Sequence, residues 1–207
     1  MTSTSSRARV ARGEAAAPRS AVPARLIATA TKLFATNGFE RTTVQDIVDA
    51  AGVTKGAMYH YFDSKDALLH EIYARVLADQ SDRLEAIIGQ EGTARDRLRA
   101  AAEDVVVTSI ANLDDTKIFF RSLGQLSGER QRVVRRDRRR YHERFRSLVE
   151  EGQADGTFRK DVPPDLVMDF FFGAVHHLGQ WYRKNGSMTP AQVGATFADL
   201  LLAAISP

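Results

Sequence analysis

Apolar residues recur with a helical period along almost the whole chain from Ala24 onward. Leu26, Ile27, Ala30, Leu33 and Phe34 fall at i, i+1, i+4, i+7 and i+8, which gives one apolar face. "NG" at 37 and 38 stops it, so the spacing predicts a helix over 24–37. Three short signals follow. Thr43 and Asp46 have capping-box spacing, Val44, Ile47, Val48 and Ala51 form a brief apolar face, and Gly52 ends it. Val53 is a buried staple, Thr54 caps a helix from Lys55 to Phe62, and Asp63 or Ser64 caps the next. Leu68, Leu69, Ile72, Tyr73, Val76 and Leu77 then carry a long helix to Ile88.

"GQEGT" at 89–93 interrupts the pattern, and the remainder is again helical. Helices are predicted over 94–112, 115–126 and 128–154, with a turn-rich "DGTFRKDVPP" after the last. Pro164 suits the first turn of a helix running to Lys184. Thr189, Pro190 and Gln192 supply a cap, a first-turn proline and a capping-box partner for a final helix to Ile205. The total is nine helices with no sustained strand alternation, an all-α fold.

Composition adds a division of labour. Residues 1–65 hold nine Lys/Arg against five Asp/Glu, whereas residues 66–207 hold twenty against twenty-one, so the net charge of +3 arises at the N-terminal end. A basic segment suits a polyanion partner, and equally a solubilising tail. Residues 1–22 are Ser, Ala and Arg with little to bury, so a disordered basic tail is expected, with Arg7, Arg9 and Arg12 free to follow DNA or to remain solvated. There is no cysteine, which excludes zinc ribbons, thiol catalysis and disulfides. No signal-peptide pattern or membrane-spanning apolar run is present, so a cytoplasmic protein with no membrane partner is expected. Twenty-three arginines against six lysines fit a GC-rich bacterial genome.

A short helix, a glycine turn and a second short helix suggest a helix-turn-helix, whose second helix enters the DNA major groove; a plain helical hairpin has the same punctuation. Val53, Met58 and Phe62 face inward, leaving Lys55, Gly56, Ala57, Tyr59, His60 and Tyr61 partly outward. Gly56 and Ala57 allow close backbone approach, Tyr59 and His60 offer hydrogen bonds, and Lys55 and Lys65 bracket the helix with positive charge.

The run "LIATATKLFATNGFERTTVQDIVDAAGVTKGAMYHYFDSKDALL" resembles the DNA-binding domain of the tetracycline-repressor (TetR) family, without a gap over about 24–77. The resemblance implies a homodimer on double-stranded operator DNA, with a DNA-binding domain over 23–70 and a ligand-binding and dimerisation domain over 71–207. By position it places Thr43 at a phosphate and Thr54, Lys55, Gly56, Ala57, Tyr59, His60 and Tyr61 on the recognition helix. It places Lys65 at the DNA backbone. Ala57 stands where many members carry Ser or Thr.

The C-terminal two-thirds is read from its residues. "DLVMDFFFGAVHHLGQWYRKNG" holds more aromatic surface than one helix face uses, so one face is expected at a two-fold axis with the last helix and the other in a pocket. Candidate dimer contacts are Phe171, Val175, Leu178, Val193, Phe197, Leu200 and Leu201. Candidate ligand contacts are Phe119, Leu123, Tyr141, His142, Phe145, Phe170, His176, His177 and Trp181; ordinary core packing is the alternative for each aromatic. His176 and His177 are adjacent and point about 100° apart, so they do not grip one metal ion, and neither metal nor cofactor is expected. "RQRVVRRDRRRYHERFR" at 130–146 holds nine arginines, either a solvated face or a receiver for an anionic ligand group.

The "G.F..D" turn and the "WYR..G..T..QVG" run are similar to TetR-family regulators of fatty-acid and sterol-derived catabolism that respond to acyl-CoA thioesters. Gln180 and "KNGS" depart from that pattern. The resemblance implies a hydrophobic effector, with acyl-CoA as one form. A ligand-responsive repressor is therefore expected, beside a constitutive or architectural DNA-binding dimer. An enzyme is not, since no nucleophile–base pairing or metal spacing stands out.

Overall fold

The computed structural model describes residues 21–207, and of Phe119 and Phe120 the backbone alone. Arg7, Arg9 and Arg12 lie outside those residues, and positions 21 and 22 of the expected tail already belong to the first helix. Among the described residues the chain is helical without strands. The helices are α1 (Ala21–Asn37), α2 (Val44–Ala51), α3 (Lys55–Tyr61), α4 (Lys65–Ile88), α5 (Ala94–Ala111) and α6 (Leu113–Arg121). A 3-10 turn at Leu123–Gln125 leads to α7 (Gly128–Asp155), α8 (Pro164–His176), α9 (Leu178–Trp181) and α10 (Pro190–Ile205). None of these helices is long and apolar enough to cross a membrane.

The short helices start where their side chains close local hydrogen bonds. Thr43 and Asp46 form the reciprocal capping box, Thr54 accepts from the Ala57 amide, and Ser64 accepts from the Ala67 amide. Gly52 ends α2 at φ 61°, a left-handed conformation costly for any residue with a Cβ.

Two differences from the periodic pattern have structural causes. The sixth helix starts at Leu113 and stops at Arg121 instead of running over 115–126. At that stop the Ile118 carbonyl accepts both the Ser122 amide and the Tyr73 hydroxyl from α4, and the chain continues through i→i+3 bonds. The eighth helix is broken at His177, so the nine-helix plan gains a short ninth piece before the last helix. Here His177 Nδ1 lies 3.0 Å from the Gly173 carbonyl, occupying the acceptor that a continuing helix gives to the residue 177 amide.

Two apolar cores share α4 as their connecting rod. The first gathers Leu26, Phe34, Ile47, Met58, Leu68 and Tyr73. Ile118, Leu126 and Val134, from much later in the chain, are buried in it as well. The second is built from α5, α7, α8 and α10 around Leu98, Phe145, Phe158, Phe171 and Leu201, each fully or almost fully buried. Side chains of this size contribute about 1.5–3 kcal/mol each on burial. The expected division at residue 70 thus falls inside α4, whose Ile72, Tyr73 and Leu77 still belong to the first core. At the end of α7, Phe158 packs directly on Gly152: a Cβ built there would collide with the ring, so this contact demands glycine.

Candidate DNA interface and effector cavity

Helix α3 is anchored by Met58, which is fully buried, with Val53 and Phe62 packed against the same core. The opposite face is open: Thr54, Lys55, Gly56, His60 and Tyr61 are exposed, Tyr59 is 53% exposed and Ala57 is half-buried. The His60 and Tyr61 rings meet edge to face with centroids 4.8 Å apart. The helix therefore presents one cation, hydrogen-bonding rings and a nearly side-chain-free strip at Gly56 and Ala57. Thr54 and Thr43 use their side chains as caps and leave exposed helix N-termini, where unpaired amides favour an anion.

Lys65 is a correction. Its ammonium donates to the carbonyls of Phe39 (2.7 Å) and Thr42 (2.8 Å) and sits 4.2 Å from the centroid of the Phe39 ring, so it ties the α1–α2 loop to α4 instead of extending to solvent. Thr42, which the sequence reading passed over, is fully buried beside it and donates to the Gly38 carbonyl at 2.8 Å.

The second site lies where α4, α7 and α8 converge. A narrow cavity of about 30 Å³ is lined by Val76, Leu77 and Gln80 of α4, by Arg138, Tyr141 and His142 of α7, and by Phe172 and His176 of α8, with Ser109 and Thr116 on the fourth side. His142 stacks on Phe172 with centroids 4.1 Å apart. Arg138 Nη2 lies 3.2 Å from His176 Nε2. Guanidinium only donates, so His176 Nε2 is the acceptor and its proton rests on Nδ1. Burial, reinforced by the Arg138 charge, pushes His142 down to about 4. The same two causes, with His142 and His177 nearby, push His176 down to about 3. Burial also lowers Arg138. Two outer grooves adjoin this cavity. One of about 600 Å³ lies between α1, α4 and the α5–α6 corner and shares Val76, Gln80, Ser109 and Thr116 with the cavity. The other, of about 310 Å³, shares Thr116, Arg138 and His176 and adds Lys117, Arg121 and His177.

Of the expected ligand contacts, Tyr141, His142 and His176 come together at the cavity. His177 borders only the outer groove. Phe145 is fully buried one layer behind, 5.2 Å from Phe172. Leu123 packs against the first core. Phe170 is 64% exposed on the outside, and Trp181 is 48% exposed and stacks on Phe197. The side chain of Phe119 lies outside the described residues. Phe172, Arg138 and Val76 were missed because no local signal separates cavity from core.

The dimer expectation is corrected in part. Phe171, Val175, Leu178, Val193 and Leu201 are buried inside the protomer, because the opposite faces of α8 and α10 close the second core. Leu200 is 61% exposed as expected, with Phe197 half-buried beside it. Together with Leu166, Phe170 and Trp181 they leave a solvent-facing apolar surface on α8, α9 and α10.

The arginine-rich helix also resolves. Arg130 pairs with Asp63 and Asp66, Arg136 with Asp137, Arg139 with Glu143, Arg144 with Glu85, and Arg146 with Asp165 and Glu150. Arg138 is the one of the nine that lines the inner cavity.

Comparison with known proteins agrees with this geometry. Residues 26–72 match the family described as bacterial regulatory proteins, tetR family, and residues 91–205 match the tetracyclin repressor-like C-terminal domain. The chain is 31% identical over 182 residues to the HTH-type transcriptional repressor KstR2 of Rhodococcus jostii, covering 86% of this chain and 87% of that protein. Its fold superposes with a TM-score of 0.81 on the ketosteroid transcriptional regulator KstR2 of Mycobacterium tuberculosis, at 26% identity and with 89% and 95% of the two chains covered. The TetR family transcriptional regulator PfmR of Thermus thermophilus gives a TM-score of 0.79 at 27% identity, covering 86% and 97%. The exposed recognition helix, the inner cavity and both domain matches thus lead to one conclusion: the chain belongs to the tetR family of bacterial transcription regulators.

Proposed function

We propose that this protein is a dimeric repressor whose two α3 helices read a palindromic operator, and that an apolar effector entering the Arg138 cavity releases it. The operator face consists of Thr54, Lys55, Gly56, Ala57, Tyr59, His60 and Tyr61, with the helix N-terminus at Thr43 on the phosphate backbone. Lys65 supports that face from behind. The exposed surface of Leu166, Phe170, Trp181 and Leu200 supports pairing across a two-fold axis, which would set the recognition helices one DNA turn apart, ~34–36 Å. Such a regulator works where the chromosome lies, in the cytoplasm.

The observation that carries effector control is the arginine–histidine pair in a cavity of mixed polar and apolar lining between α4 and α7. About 30 Å³ is the room of one water molecule, whereas small-molecule sites span ~300–1,000 Å³. An effector therefore has to part α4 from α7 and α8, and α4 begins at the recognition-helix corner. Ligand affinity for the parted form is then a differential affinity against the DNA-bound form, which is what release requires. We favour an effector with an apolar body and hydrogen-bond-accepting oxygens that meet Arg138 and His176, of the acyl-CoA thioester class. The ketosteroid description of the KstR2 relative supports a polycyclic body. The basic groove at Lys117 and Arg121 suits the phosphates of the carrier. A constitutive DNA-binding dimer is favoured only by the small cavity.

The test is selection of a duplex from a random-sequence library by the full-length protein, followed by titration with acyl-CoAs of several chain lengths and a steroid-derived CoA thioester. Release by one thioester, with free acid and CoA inert, supports the reading. Tight binding that none of them disturbs favours the constitutive dimer.

A further inference from the structure

Helix α7 reaches past its own domain. At its N-terminal end Arg130 spreads its guanidinium over the corner between α3 and α4: Nη1 donates to Asp66 Oδ2 at 2.6 Å, and Nη2 donates to both oxygens of Asp63 at 3.0 Å. The Ser127 amide donates to the other Asp66 oxygen at 3.0 Å. Asp63 in turn accepts from the Ser64 hydroxyl at 2.8 Å, and Ser64 is the N-cap of α4. The residues gripped, Asp63, Ser64 and Asp66, lie between the C-cap of the recognition helix at Phe62 and the first turn of α4. Beside the Ser127 amide, the clamp is made by side chains 64 and 67 positions apart.

We propose that Arg130 is a positioning residue for operator binding, holding the recognition helix at the angle at which it reads DNA and joining that angle to the effector cavity. This rests on the DNA-binding reading of α3. The geometry supports it in two ways. A bidentate guanidinium fixes orientation as well as distance, which a point charge does not. The same helix carries Arg138, Tyr141 and His142 two to three turns further on, ~12–18 Å at 1.5 Å per residue, so the cavity and the clamp share one helix. When α4 and α7 are parted at Val76 and Tyr141, the clamp is the point about which α4 turns, and the helix-turn-helix swings with it.

The experiment measures affinity for the library-selected duplex as a function of salt, for the wild-type chain and for Arg130→Met, Arg130→Lys and Asp63→Asn. Arg130→Met is expected to weaken binding about tenfold, within the range usual for coupled sites. Arg130→Lys recovers part of the loss, and Asp63→Asn, an exposed change that leaves the fold intact, loses about threefold. The slope of log affinity against log salt stays at its wild-type value in all of them, because Arg130 touches no phosphate. Hydrogen exchange of amides 55–66 accelerates in Arg130→Met while that of α5 and α10 does not. Wild-type affinity in both Arg130→Met and Asp63→Asn overturns the proposal. So does a slope reduced by ~0.9, which would make Arg130 a phosphate contact itself, or accelerated exchange throughout the chain, which would make it a general stabiliser. Failure of the wild-type chain to select any duplex would instead sink the DNA-binding reading on which the proposal stands.

Discussion

The imidazole of His142 lies 4.1 Å from the ring of Phe172, with the two planes within 11° of parallel. A stack of this kind between a buried arginine and apolar neighbours is stable with the imidazole neutral, which is why burial and Arg138 hold His142 down to about 4. In the unfolded chain histidine titrates near 6.5. Below that pH the unfolded state binds more protons than the folded one, so stability is full above about 6.5 and falls as the pH drops toward 4. Thermal melts between pH 7.5 and 5 are expected to show this decline, and His142→Phe, which keeps the stack but cannot titrate, reduces its slope. The aspartates held below the ordinary carboxylate range, Asp63 and Asp66 among them, act at lower pH, whereas His176, down to about 3, titrates across the same window and supplies the slope that remains in His142→Phe. Equal slopes in the two proteins would remove His142 as the cause.

Gly152 tests the second core. Because a Cβ there would enter the Phe158 ring, Gly152→Ala is expected to cost at least ~1–3 kcal/mol, read as a lower urea midpoint. Adding Phe158→Leu should return part of the loss, since the smaller side chain vacates the contested space. If alanine is tolerated without change, the ring has an alternative position.

At Gly56 folding and recognition pull apart. The position is exposed, helical and roomy, with the nearest atom to a new Cβ being Thr54 Oγ1 at 3.9 Å. Alanine there should stabilise the chain by up to ~1 kcal/mol yet weaken operator binding, and leucine should abolish binding. Paired melting and DNA titrations decide it; alanine and leucine variants that bind normally would take Gly56 out of the interface.

Phe170 and Leu200 are predicted to carry self-association. Phe170→Glu should raise the dimer dissociation constant at least ~30-fold, as expected for a central apolar anchor worth ~2 kcal/mol or more. Sedimentation equilibrium reads this directly. The Phe171 side chain next door is core, so Phe171→Glu should unfold the domain instead of splitting the dimer.

Arg138→Met replaces a half-buried cation by an apolar chain of similar length. The His176 acceptor then loses its donor, so the free protein should melt at a lower temperature, and the thioester that releases wild-type protein should do so only at higher concentration. A variant that responds normally would show that the effector does not use the guanidinium.

The helix-turn-helix was legible in the sequence because it is written in sequence-local terms: caps at Thr43, Thr54 and Ser64 act within three residues, and Gly52 needs only its own φ. The cavity and the dimer surface were not, since α8 and α10 are apolar on opposite faces and periodicity does not say which face is core. Phe171 and Phe170 differ by one position, yet the first, expected at the dimer contact, is core, and the second, expected at the ligand, faces solvent. Lys65 was misjudged for a related reason: its acceptors are 23 and 26 residues away. The break at His177 depends on one ring nitrogen finding the Gly173 carbonyl, a choice that composition does not record.

The burial of Ile118, Leu126 and Val134 in the first core bears on how the protein is made. A ribosome that has released the first hundred residues has released the whole of α3, yet the core beneath it still lacks three of its members. Domains fold as their own segments emerge during synthesis, and here that order is delayed until α6 and the start of α7 are out. A chain broken off before residue 134 therefore lacks part of the platform beneath α3, and such a product is expected to hold DNA more weakly than the full chain.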